Sequence, residues 1–498
     1  MTAASAPGVR PKSDTAPVLI GLDVGTSGIK AIAVSPDGQV LASATRGYEL
    51  STPRPGWSEQ HPEDWWLAAD SALGEVAEGR EVAGIGLSGQ MHGLVVLDAQ
   101  DRVIRPAILW NDQRTAAECA EIEERVGRER LVELTGNRAL TGFTAPKLLW
   151  LRRHEPEAFA RVARVMLPKD YVRLRLTGDW ASDAADASGT LLFDVAGRRW
   201  SDEVLSALEL PADWLPPVLE SPDRAGVVSP STTMSQGIPV AAGAGDQPAA
   251  ALGVGIDRPG PVSVVLGTSG VVLAALPEYA HDPEGRVHAF CHAVPGAWQA
   301  MGVMLSAAGS LQWLHERLAP ETTLEALVAE AERWEPGVEG LLFLPYLAGE
   351  RTPHADPDAR GAFVGLQLRH DRGALVRAVL EGVAFGLRDA LDAVRQLGVD
   401  ATVGRASGGG ARSRLWLQIV ASALDVPLEL TESEEGSAFG AAVLAGVAGG
   451  VFSDVREGVS RCVRVREVID PERTWRDAYA ELLPRYRALY PATKGVPT

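Results

Sequence analysis

The chain has 498 residues, 46% apolar and 22% charged, with 47 basic against 65 acidic side chains for a net charge of −18. This balance excludes a disordered, collagenous or disulfide-scaffold protein. Its acidic field disfavours nucleic acid and anionic membrane as partners, so an anionic ligand must meet a local positive patch or a bound cation. A chain of this length outgrows a single core, which predicts two large domains with a cleft between them. Cys119, Cys291 and Cys462 are odd in number and widely spaced, the pattern of reduced thiols in the cytoplasm.

Residues 1–17 contain no apolar run and read as a flexible tail, not a signal peptide. The segment 18–35, VLIGLDVGTSGIKAIAVS, reads as strand, glycine turn, strand. Helical spacing follows over 62–79 and 145–154, with short strands at 82–87 and 94–97 and a turn-rich region over 178–223. A second half opens near Ile256. Its segment 261–276, PVSVVLGTSGVVLAAL, repeats the strand, Gly-Thr-Ser-Gly, strand pattern. Residues 340–347 read as a buried strand. Residues 371–397 form an amphipathic helix with Asp371 as N-cap. Residues 401–424 read as strand, triple glycine and helix. The uncharged stretches 259–277 and 436–453 are not membrane spans: the first is a punctuated hairpin. The second, mostly Ala and Gly, suits a helix packed closely on another backbone. Alternating strands and helices make the fold α/β.

The two Gly-Thr-Ser-Gly units start at Gly25 and Gly267, about one large domain apart, and imply two related halves. Such turns present backbone N–H groups and small hydroxyls to whatever lies beyond them, an array suited to phosphate. Two facing turns would grip one polyphosphate. Asp23 precedes the first turn and Lys30 follows it. A carboxylate there either starts the turn or holds Mg²⁺ beside a phosphate. Gly408, Gly409 and Gly410 lie between strand and helix, as a nucleotide contact or as ordinary loop glycines. No Walker A run is present, and no well-placed G-x-G-x-x-G follows a strand.

Asp246 follows the run AAGAG and precedes Gln247; on spacing alone it reads as a helix N-cap, with a proton-accepting carboxylate as the alternative. The knot Ser88-Gly89-Gln90-Met91-His92-Gly93 suits sugar hydroxyls, with Met91 as an apolar wall. Trp110, Asn111, Asp112 and Arg114 form a set of the type that lines polyol pockets. His288, Cys291 and His292 lack a second ligand pair at zinc spacing and read as core or loop. Ser88 and His92 lack G-x-S-x-G and a third triad member, so no hydrolase is expected.

LDVGTSGIKA, SGQMHG, WNDQRT, GFTAPKLLW, AGAGDQ, LGTSG and SGGGARS, in this order, resemble the FGGY carbohydrate kinases over about residues 18–451. The resemblance implies two ribonuclease-H-like domains of the actin, Hsp70 and hexokinase type, 18–256 and 257–498, with ATP and sugar in the cleft. SGQMHG points within the family to members that phosphorylate D-xylulose at O5. It further implies that Asp246 is the general base and Asp23 positions Mg²⁺. Met91, His92, Trp110, Asn111, Asp112 and Gln247 would contact the ketopentose. Thr26, Ser27, Lys30, Gly267, Thr268 and Ser269 would hold phosphates, and Gly408, Gly409, Gly410 and Arg412 would border the adenosine. A homodimer is compatible with the resemblance. The rival readings are a kinase for ribulose, glycerol, gluconate or another polyol, and an actin-like or Hsp70-like nucleotide switch.

Overall fold

The computed structural model describes residues 16–494, so the predicted tail lies outside the described residues except for Ala16 and Pro17. Strand β1 (Val18–Val24) is the centre of the first sheet. Its apolar residues are buried on both faces because helices cover both sides. It forms an antiparallel meander with β2 (Gly28–Val34) and β3 (Val40–Gly47). On its other side β4 (Val82–Gly89) runs parallel to it. With β5 (Arg224–Val227) and β6 (Pro239–Ala241) the order is β5-β6-β4-β1-β2-β3, and the two-residue β7 (Ala244–Gly245) also pairs with β4.

The second sheet repeats this plan. Strands β8 (Pro261–Leu266), β9 (Gly270–Leu276) and β11 (Trp298–Met304) form the meander, β10 (His288–Cys291) extends it, and β12 (Val403–Ser407) runs parallel to β8. Strands β13 (Leu428–Thr431) and β14 (Val465–Ile469) complete the order β10-β11-β9-β8-β12-β13-β14. Matching β1, β2, β3 and β4 to β8, β9, β11 and β12 accounts for the expected pair of ribonuclease-H-like domains.

The helices follow the sequence pattern. Pro62 opens α1 (Pro62–Ala77), where its missing N–H costs no hydrogen bond, and Trp65, Trp66 and Leu73 are buried in the first core. Helix α2 (Asp246–Gly253) leaves the first sheet. Asp371 caps α3 (Arg372–Arg395), accepting from Ala374 N at 3.0 Å. The segment at 340–347 departs from expectation: only Leu342–Leu344 is strand, paired with Ala362–Val364, because a 3-10 turn occupies Val338–Gly340.

Helix α4 (Arg414–Leu424) follows the triple glycine. The Ala- and Gly-rich α5 (Gly436–Ala448) does pack on another backbone, and that backbone belongs to the first half. A Cβ at Gly21, Gly86 or Gly440 would stand 1.9, 1.9 and 1.8 Å from the carbonyl oxygens of Ala438, Ala441 and Ala249 respectively. Bare glycine on both surfaces is what lets the second half clasp the first sheet. Among the described residues no helix is long and apolar enough to cross a membrane.

Candidate active site

Strands β1, β4 and β7 are parallel, so their carboxyl ends share one edge, the edge at which open α/β sheets place ligands. Asp23 pairs in register with Ser88 and Ser88 with Ala244, while Gly89 pairs with Gly245. This register brings Asp23, the 88–93 knot and Asp246 to one edge. Ser88 Oγ donates to Asp23 Oδ1 at 2.7 Å. Asp246 is not the helix cap that spacing favoured: Gly245 takes the cap position, no side chain caps the helix, and Asp246 is its first residue. Burial, with the charge of Asp23 adding to it, pushes the Asp246 carboxyl up to about 7. Burial also raises Asp23, against the Ser88 bond and the charge of Lys30.

Two neighbouring carboxylates that both resist ionisation fit a hard divalent cation, which relieves both effects. Among the described residues no group of three or more His, Cys, Asp and Glu could hold a metal. Such an ion would therefore take its remaining oxygens from phosphate and water, as Mg²⁺ commonly does.

Both glycine turns are tied down through their carbonyls. In the first, Gln60 Nε2 donates to Thr26 O at 2.6 Å, and Tyr48 OH donates to Gly25 O. In the second, Ala308 N donates to Gly267 O at 2.8 Å, while Ala307 N and Gly309 N reach Thr268 O at 2.9 and 3.1 Å. Among the described residues the amides of Thr26, Ser27, Thr268 and Ser269 donate to no protein acceptor. Each turn thus leaves an unsatisfied pair of N–H groups, the donor set of an anion cradle. Gly408, with φ of +88°, lies against the second turn: a Cβ there would stand 2.8 Å from Leu266 O and 3.0 Å from Gly267 N. A cavity of about 200 Å³ opens beside it, lined by Gly408, Gly409, Arg412, Thr431 and Arg466 among others. Arg412 lines it from an exposed position, 3.9 Å from Glu434, and Gly410 is buried behind. Lys30 makes an ion pair across the cleft with Glu435, the residue before α5.

The residues expected to meet the polyol are closely packed. His92 has φ of +69°, and its Nδ1 lies 2.5 Å from Gly189 O. That carbonyl assigns the proton to Nδ1 and leaves Nε2 as an acceptor. Burial is the chief reason the ring is held down to about 3, and the charges of Lys147 and Arg351 add to it, so the imidazole is neutral. A Cβ on Gly189 would stand 2.7 Å from the His92 ring, and one on Gly245 would stand 2.6 Å from Met91 Cγ. Phe143 packs edge-on to His92 at 4.6 Å between centroids. Trp110 is 45% exposed, and its Nε1 donates to Thr26 Oγ1 at 2.9 Å, linking these residues to the first turn. Asn111 Oδ1 is buried without a hydrogen-bond partner, an acceptor available to a ligand hydroxyl. Gln247 is part-buried beside Asp246.

Asp112 departs from the expected pocket set. It is fully buried, and its oxygens accept from Ser58 N, Arg114 N and the Arg114 guanidinium. In this arrangement it presents no surface to a ligand and fixes the loop that carries Trp110 and Asn111. His288, Cys291 and His292 are all buried: His288 Nδ1 meets Asn137 Oδ1 at 2.7 Å, and His292 Nδ1 accepts from Val294 N at 3.0 Å.

Sequence reasoning missed a charged network under the site. Lys169 Nζ, with no exposure, lies 2.6 Å from Asp170, 2.5 Å from Asp183 and 3.4 Å from Asp186. Asp186 in turn abuts Gly245, 3.2 Å from where a Cβ there would stand. The available signal was a set of charges inside otherwise apolar runs, MLPKDYV and ASDAADASG. Tyr48 and Gln60, which hold the first turn, carried no such signal.

Family models of the N-terminal and C-terminal domains of the FGGY family of carbohydrate kinases match residues 18–253 and 262–449. The xylulose kinase of Escherichia coli (strain K12) is 47% identical over 436 residues, covering 86% of this chain and 90% of that protein. A solved xylulose kinase from Rhodospirillum rubrum is similar at 35% identity and a TM-score of 0.90, covering 96% of this chain and 99% of its own. A gluconate kinase from Lactobacillus acidophilus reaches a TM-score of 0.92 at 25% identity, with coverage of 96% and 99%.

Proposed function

The chain belongs to the FGGY family of carbohydrate kinases, and from that premise we propose that it transfers the γ-phosphoryl group of ATP to O5 of D-xylulose, giving xylulose 5-phosphate and ADP. The backbone similarity does not choose the sugar, since a gluconate kinase and a xylulose kinase superpose about equally well. Identity does favour one: the relative at 47% is a xylulose kinase. The three free thiols suit a reducing compartment.

The observation that carries the mechanism is the pair of turns with four unpaired amides, together with a carboxylate held near neutrality. Phosphoryl transfer has a loose transition state, so alignment and charge stabilisation do most of the work. The amides of Thr26, Ser27, Thr268 and Ser269 would hold phosphate oxygens. Gly408 and Gly409 would let the adenosine lie against bare backbone in the cavity beside the second turn. His92 Nε2 and Asn111 Oδ1 would accept from ketose hydroxyls, with Met91 as the apolar wall. Asp246, with a pKa matched to neutral pH, would take the O5 proton as the phosphorus bond forms. Asp23 would hold a Mg²⁺ ion, whose chemistry there is to neutralise phosphate charge and orient the reacting group. Lys30 would leave Glu435 for phosphate.

Purified protein assayed for ATP-dependent phosphorylation, with D-xylulose against L-ribulose, glycerol and gluconate, tests this reading. The highest kcat/KM is expected on D-xylulose. Preference for another polyol would overturn the sugar assignment, and sugar-independent ATP turnover with filament formation would overturn the kinase.

A further inference from the structure

Arg351 belongs to none of the residue sets above, yet its neighbours pin it beside them. On β11 the pairing partner of Met301 is His288 of β10. Two residues further along, Thr352 takes over that edge: its N–H donates to Val303 O at 2.9 Å, and Val303 N donates to Thr352 Oγ1 at 3.0 Å. Glu350, on the other side, accepts from Leu305 N at 3.0 Å and from Arg351 N at 2.7 Å. Across β9, Val303 and Met304 pair with Val271 and Gly270, where the second glycine turn ends. The residue between Glu350 and Thr352 is thereby fixed on the outer edge of β11, in line with His288, with β9 and its turn on the other side of that strand. His288 packs on Phe143, the ring that also packs on His92.

The guanidinium is uncommitted. Among the described residues it has no hydrogen-bond or ion-pair partner, and the carboxylate that bears on it, Glu350, is pushed up to about 8 by burial and does not cancel its charge at neutral pH. Its field reaches both His92 and His288. The other cations of the cleft are engaged, Lys30 with Glu435 and Arg412 with Glu434. A part-exposed cation without a protein partner, beside the His92–Phe143–His288 cluster, is free to take an anion from outside the protein.

We propose that Arg351 binds the phosphoryl group during transfer and holds it afterwards on the ketose phosphate product. The inference rests on the kinase reading above. As the bond from γ-phosphorus to the ADP oxygen breaks, the bond from O5 to phosphorus forms and the O5 proton passes to Asp246. Arg351 exchanges no atom; it neutralises charge on the equatorial oxygens, which is greatest in effect at the transition state.

The test compares wild type with Arg351→Ala and Arg351→Lys, in steady-state kinetics and in calorimetric titrations with xylulose and with xylulose 5-phosphate. Arg351→Ala is expected to lower kcat about 100-fold, to leave the KM and affinity for xylulose within about threefold, and to weaken xylulose 5-phosphate at least about tenfold. Arg351→Lys restores charge without the planar fork, so it should recover product affinity more fully than kcat. Unchanged affinity for the ketose phosphate in folded Arg351→Ala overturns the proposal. So does a raised KM for xylulose with kcat unchanged, which would make Arg351 a contact of the free sugar. Should Arg351→Ala fail to fold, the neutral and longer Arg351→Gln decides by the same two readouts. Failure of wild type on xylulose would instead overturn the substrate reading, and the variants would then be compared on the polyol it does phosphorylate and on that polyol's phosphate.

Discussion

The tetrapeptide Gly-Thr-Ser-Gly forms the turn at 25–28 and again at 267–270, but the two copies are held and equipped differently. Val24 pairs with Ile29 across the first, whereas Leu266 pairs with Gly270 across the second, a tighter register. Side chains of Tyr48 and Gln60 fasten the first turn, and backbone amides of 307–309 fasten the second. Asp23 and Lys30 flank the first; the matching positions in the second are Val265 and Val272. The fold provides a cradle of N–H groups twice, and a carboxylate for cation chemistry beside only one of them. A cradle needs backbone geometry alone, while catalysis needs charge, and a second buried carboxylate facing the same phosphates would cost more than it returns.

This asymmetry can be broken experimentally. The largest effect is expected at the carboxylate that works with the first turn: Asp246→Asn should lower kcat by a factor of about 10² to 10⁴ while xylulose binding, followed by calorimetry, stays within about threefold. Turnover within tenfold of wild type would remove Asp246 as the base. Asp23→Asn should cost about 100-fold in kcat, whereas the isosteric Val265→Thr at the matching position of the second turn should leave kcat nearly unchanged. Equal losses at both positions would mean that the turns share one role.

The pH profile sharpens the same point. Asp246 must be ionised to accept a proton, so with its pKa raised to about 7, kcat/KM for xylulose should fall about tenfold per pH unit below that value. Removing the neighbouring charge in Asp23→Asn should move this acidic limb to lower pH, because Asp23 helps to raise Asp246. A limb that stays in place would uncouple the two carboxylates. On the second turn, Gly408→Ala should raise the KM for ATP about tenfold and leave that for xylulose unchanged, since the added methyl meets Leu266 O at 2.8 Å on a backbone of positive φ. The smallest change is expected from Trp110→Phe, which deletes the bond to Thr26 Oγ1 and should cost about threefold in kcat/KM, the worth of one partly exposed hydrogen bond.

Much of this was legible in the chain. The strands on either side of both turns, the helix capped by Asp371 and the close-packed nature of 436–453 follow from periodicity and small residues, which act locally. Asp112 was misplaced because WNDQRT gives a run of polar residues but not which of them turns inward to satisfy Arg114 and Ser58. Asp246 was read on spacing as a cap because Asp is frequent there; only the backbone course put Gly245 in that position. The Lys169 network joins residues from 169 to 186 with the turn at Gly245, and Arg351 comes from a loop that no motif marked.

By itself the sequence determined the α/β class, the duplicated cradle and the residue types able to do phosphoryl chemistry, because strand alternation, glycine turns and side-chain chemistry are properties of neighbouring residues. Tertiary structure alone decided that α5 of the second half lies on the first sheet, that the charge of Asp23 helps to raise the Asp246 carboxyl, and that Arg351 lies on the outer edge of β11, its guanidinium without a protein partner among the described residues. Those facts depend on distances between segments hundreds of residues apart, and no local pattern encodes a distance of that kind.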